Sequence, residues 1–180
     1  MGLTTFGVVS AGSLTSTWDP SSTLAISQGE IGTISVCKRG VEYSIVKVVK
    51  MFNTTRCSAN DVLMPSTGST AGGIATVAIA AQDGHPILGI AAASIASAQC
   101  GYAIIGGIAT AWISDVATAT QLLCVSGSTA AQLAKHNSSN FGIGTLPLTS
   151  SFMFVGRIYQ AGSHLSAGSS AQIRLQGIWG

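Results

Sequence analysis

From His85 to Ile113 the chain carries not one Lys, Arg, Asp or Glu. A stretch that long without charge belongs inside something apolar, either lipid or protein. About 20 apolar residues are enough to cross a bilayer, so length permits a membrane span. Its content argues against one. Leu88 is the only leucine, Pro86 opens the stretch, and Ser94, Ser97, Gln99, Gly101, Gly106 and Gly107 interrupt it. No Lys or Arg cluster flanks it to fix an orientation. The expectation is a protein interior built from short apolar runs.

Those runs have the spacing of β-strands. Val41 to Phe52 is the clearest: Val41, Tyr43, Ile45, Lys47 and Val49 fall on one face, and Ser44, Val46, Val48 and Lys50 on the other. Strict alternation reads as a strand, and valine or isoleucine on both faces predicts cover on both sides. Thr4 to Val9, Ile31 to Cys37, Ile74 to Ala81 and Ile87 to Ala91 read as further strands, with Asp83-Gly84 as a hairpin turn before the last. Tyr102 to Ile105 and Ile108 to Ile113 flank Gly106-Gly107, a tight turn or a bulge. Leu122 to Val125, Phe152 to Tyr159 and Ala171 to Ile178 complete the set. Ile90 to Gln99 fits two turns of helix as well as it fits strand, because Ile90, Ala93, Ile95 and Ala98 keep helical spacing. The fold class is therefore all-β: a β-sandwich or β-barrel of short antiparallel strands, an extended N-terminal arm, and one short helix as an open alternative. The Ser/Thr/Gly-rich run from Met64 to Gly73 divides residues 1–64, an arm and strand segment, from residues 65–180, a β-rich domain.

Charge is scarce throughout. Lys plus Arg number 8 and Asp plus Glu 6, which is 8% of 180 residues, against a usual share of about 25%. A monomer of this mass exposes roughly 8,000 Å², and fourteen ionic side chains cover little of that. Ala, Gly, Ser and Thr make up close to half the chain. Such a surface is expected to be shielded by other subunits rather than left to water. The net charge of +2 is too small to argue for nucleic acid.

Reactive chemistry is sparse as well. Asp19, Glu30, Glu42, Asp61, Asp83 and Asp115 are scattered, and His85, His136 and His164 sit in Gly-, Asn- and Ser-rich loops without a second ligand nearby. Cys37, Cys57, Cys100 and Cys124 form no C-x-x-C, which predicts reduced, mostly buried thiols and no metal. No nucleophile elbow, phosphate loop or dinucleotide loop occurs. Met1 to Phe6 shows neither a secretory nor a myristoylation pattern. The expectation is a non-enzyme without cofactor.

Five of the eight basic residues, Lys38, Arg39, Lys47, Lys50 and Arg56, fall between positions 38 and 56. They read as a solvated strand edge or as an electropositive patch that docks on an acidic protein. Trp18, Trp112, Trp179, Tyr43, Tyr102 and Tyr159 leave a second class open, a β-rich tail or fibre adhesion or carbohydrate-binding module with an aromatic stacking platform.

Gly89-Ile90-Ala91-Ala92-Ala93-Ser94-Ile95-Ala96-Ser97-Ala98-Gln99-Cys100-Gly101-Tyr102-Ala103-Ile104-Ile105-Gly106-Gly107 resembles a pattern in small structural proteins of tailed bacteriophages, the capsid decoration or cement proteins. Those proteins carry a strand, a small-residue stretch and then G-Y-G-W-V. Here Ala103 and Ile104 stand where Gly-Trp is usual. Thr110-Ala111, Leu122 to Ser126, Val155 to Ile158 and Ala171 to Leu175 extend the resemblance over about residues 74 to 178. It implies a virion protein that binds the outer surface of the head, stabilises contacts between major capsid subunits, and forms a homo-oligomer, usually a trimer. Its partners would be the major capsid protein and its own copies, with neither nucleic acid nor membrane. Assembly would take place in the host cytoplasm, and no catalytic residues are implied.

Overall fold

The computed structural model describes residues 8–10, 14–17, 19, 31–39, 41–52, 55–65, 74–77, 87–114, 122–125, 129–135, 156–159 and 166–175. They contain eleven strands and no α-helix, so the all-β expectation holds. In chain order these are β1 (Val8–Ser10), β2 (Ile34–Arg39), β3 (Glu42–Met51), β4 (Val62–Pro65), β5 (Ile74–Val77), β6 (Gly89–Ala91), β7 (Cys100–Trp112), β8 (Leu122–Val125), β9 (Leu133–Lys135), β10 (Gly156–Ile158) and β11 (Ser170–Leu175). They join one sheet in the order β1-β2-β3-β5-β4-β6-β7-β11-β10-β8-β9, with β3 also paired to β7. That extra pairing closes a circuit of five strands, β3, β5, β4, β6 and β7. Most pairs are antiparallel; β1–β2 and β3–β5 are parallel.

Inside the circuit both faces are buried. One holds Val46, Val48, Val62, Ile90, Tyr102 and Ile104. The other holds Val49, Met51, Leu63, Ala91 and Ala103, roofed by Cys57, Leu88 and Ile95. Burying an aliphatic side chain is worth about 1.5–3 kcal/mol, so strands covered twice carry much of the fold's stability.

Several sequence expectations change. The stretch 92–99 is not helical: Ile95 makes a β-bridge to Cys57 through two 3.1 Å hydrogen bonds, and Ala98 turns the chain at φ +62°. Ile95 is there because it roofs the sheet. A β-carbon on Gly101 would lie 2.5 Å from its Cδ1, so the glycine makes room for it. Strands β5 and β6 are not hairpin partners, since β4 lies between them; the Asp83-Gly84 turn is outside the described residues. Strand β4 ends inside the Met64 to Gly73 boundary run, and neither β4 nor β9 is among the strands expected from the sequence. From the arm, β1 pairs with β2 of its own chain.

Gly106-Gly107 is a bulge rather than a turn, and β7 runs on through it for 13 residues. Ile45 pairs with Gly106 but Val46 pairs with Ile104, which leaves Ile105 as the extra residue. One extra residue reverses the alternation of everything beyond it. The core face of β7 is thus Cys100, Tyr102 and Ile104 before the bulge, and Ala109, Ala111 and Ile113 after it. Gly107 takes φ +81°, and a β-carbon there would run into the Tyr43 carbonyl oxygen. The buried Ser44 hydroxyl donates to the Ile108 carbonyl at 2.8 Å and helps satisfy the disturbed backbone.

Candidate interaction surface

Beyond the bulge the sheet opens. Strands β11 and β10 alternate strictly, with Ala171, Ile173, Leu175 and Ile158 buried and Ser170, Gln172, Arg174 and Arg157 exposed. Paired residues point to the same side of a sheet. Arg157 pairs with Arg174, Arg174 with Ile108 and Gln172 with Thr110, so these residues share one face. The face continues across β3 and β2, because Tyr43 and Ile45 pair with Lys38 and Val36, and Ile45 also pairs with Gly106. The outcome is one open face over β2, β3, β7, β11 and β10. Val41 is 92% exposed, Tyr43 56% and Tyr159 45%.

At its centre is a cleft of about 300 Å³ lined by Val41, Glu42, Ile108, Thr110, Tyr159 and Gln172, at the small end of ligand-sized pockets. The Tyr159 hydroxyl donates to Glu42 Oε1 at 3.3 Å, and Arg174 Nη2 stands 3.9 Å from the same oxygen. The Arg174 guanidinium also lies 5.1 Å from the centre of the Tyr159 ring. Each contact is weak at an exposed site; together they gather an arginine, a tyrosine and a carboxylate beside the cleft.

The five basic residues singled out in the sequence are divided by this geometry. Lys38 and Lys47 lie on the open face, Lys38 exposed and Lys47 half-buried. Lys50 is on the opposite face of β3, paired with Cys100. Arg56 is exposed in the segment before Cys57, and Arg39 is placed by its backbone, opposite Glu42. Arg157 and Arg174, which were noted only within the resemblance, join the open face instead. The signal for Arg174 was the alternation of Ala171 to Leu175.

The aromatic platform separates in the same way. Tyr102 is buried on the core face, and Trp112, opposite Ser170 on the open side of β7, is half-buried with its indole N–H donating to the Ala59 carbonyl at 3.0 Å. Tyr43 and Tyr159 are the exposed aromatic residues of the open face. Trp18, Trp179 and the three histidines lie outside the described residues. Cys37, Cys57 and Cys100 are buried thiols outside any disulfide. Burial pushes the Cys57 thiol up to about 11 and also raises Cys100, so neither is a ready nucleophile. Burial raises the Asp61 carboxyl too, while a 2.7 Å hydrogen bond from the Ser58 N–H opposes that rise and closes the turn through Asn60. Among the described residues no group of three His, Cys, Asp or Glu is placed to hold a metal, and no helix is long and apolar enough to cross a membrane.

No family model matches the chain, and no curated protein matches it. A solved structure, the N base of the head fibre gp8.5 of bacteriophage phi29, is similar at 7% identity and a TM-score of 0.46, over 73% of this chain and 92% of that one. A likeness of that size carries no argument for function.

Proposed function

We propose that this chain is a structural virion protein of a tailed bacteriophage, a decoration protein that binds the outside of the head and braces neighbouring major capsid subunits. The observation that carries the reading is an accessible surface of 9655 Å² served by fourteen ionic side chains, with large apolar groups standing on one open sheet face. A surface with few charges overall and exposed apolar groups gathered on one face is what interfaces bury. Several modest contacts made at once would give firm attachment without one strong site. The resemblance of residues 74 to 178 to decoration proteins supports the same reading. In it the protein acts as a homo-oligomer, a trimer in the usual arrangement, and it performs no catalysis.

The test is to purify particles from the source and quantify the chain against the major capsid protein by mass spectrometry. Many copies per particle, and a discrete trimer on cross-linking, are expected. Absence from purified particles, or a lone monomer in sedimentation with no affinity for them, overturns the reading.

A further inference from the structure

We infer that the open face of β2, β3, β7, β11 and β10 is the docking surface, and that its occupant is a different protein presenting acidic side chains around an apolar patch. This rests on the virion reading above and gives it a surface and a partner chemistry. Two observations select the occupant. Among the described residues the face carries Lys38, Lys47, Arg157 and Arg174 against one carboxylate, that of Glu42, in a chain whose whole net charge is only +2. Cations are thus concentrated where the apolar groups Val41, Tyr43 and Tyr159 stand exposed.

A two-fold contact with a second copy of this chain fits poorly, because it brings the same patch to itself and would set these cations against one another. Nor does Glu42 free the face of positive charge, because it is one carboxylate against four cations among the described residues. The partner that complements such a face carries Asp and Glu at its rim and an aliphatic or aromatic side chain to enter the cleft of about 300 Å³ beside Tyr159. The sequence-level patch would have included Lys50. The sheet puts Lys50 on the other side, which turns it into a control.

The experiment compares three forms of the full chain in particles propagated from the source: wild type, a Lys38→Gln/Arg157→Gln/Arg174→Gln triple variant, and Lys50→Gln. Retention is measured after washing at rising ionic strength, with melting curves to confirm that each variant is folded. The triple variant is expected to be retained about tenfold less at physiological salt, Lys50→Gln as well as wild type, and wild-type retention to fall as salt rises. Equal retention of the triple variant overturns the docking face. Equal loss with Lys50→Gln also overturns it, since net charge alone would then explain binding. Absence of wild type from the particles removes the virion reading and this face together. A neutral-glycan array on which binding is insensitive to salt and lost in Tyr159→Ala would replace the acidic protein with a carbohydrate.

Discussion

One strand samples two environments. Residues 100–106 of β7 are buried without a break, whereas from Gly107 to Trp112 half-buried and buried positions mostly alternate. The first half is flanked by β3 and β6 and roofed by Ile95; the second has β11 beside it and solvent above. The bulge at Ile105 lies at the junction and resets the alternation, so that a single core face persists along the strand. The doubly covered half supplies stability, and the open half supplies surface. Changes in the two halves should therefore differ in kind as well as size.

The junction itself is the most sensitive point. Gly107→Val places a branched side chain at φ +81° and against the Tyr43 carbonyl. A left-handed conformation costs an ordinary residue about 1–2 kcal/mol, and overpacking adds about 1–3 kcal/mol. The expected loss is about 4 kcal/mol in urea unfolding, enough to leave little folded protein in a domain of ordinary stability. A variant within about 1 kcal/mol of wild type would mean that β7 does not pass through the bulge as a single strand.

Next comes a pair of identical truncations on either side of it. Ile95→Ala empties a fully buried site over Gly101 and is expected to cost about 3 kcal/mol. Ile108→Ala, on the open face, is expected to cost under about 1 kcal/mol. Equal losses in chemical denaturation would show that something covers the open face in the isolated chain, and the contrast between the halves would fail.

The same division explains what could be read from sequence. Where one face is wet, polar and apolar residues alternate, and Ala171 to Ile178 was legible as a strand, although its outward residues Gln172 and Arg174 were not drawn from the pattern. Where both faces are dry, alternation has nothing to report. In Gly101-Tyr102-Ala103-Ile104-Ile105 every residue is buried, so neither the face nor the partner strand could be assigned. Ile90 to Gln99 kept helical spacing because Ala is acceptable in either conformation; its real constraint, Ile95 seated on Gly101, is a contact between residues of different segments. The basic cluster is divided by the same alternation: Lys47 and Lys50 are near in sequence but three positions apart on a strand, and that puts them on opposite faces.

Alkaline pH offers the gentlest probe of the doubly covered half, because Cys57, Cys100 and Tyr102 reside there and burial raises all three. For Cys57 the rise is from an ordinary 9.0 to about 11. Between those values the unfolded thiol has lost its proton while the folded one keeps it, so the folded state binds more protons and stability declines as pH climbs. The contribution is complete below pH 9 and is lost progressively up to about pH 11. For Cys57 alone this amounts to about 2 kcal/mol. Thermal melting across that range should show the decline, and Cys57→Ala, although less stable at neutral pH, should show a shallower one. An unchanged slope in the variant would mean that solvent reaches Cys57 under the Ile95 roof, and the half of β7 described as dry on both faces would be wet on one.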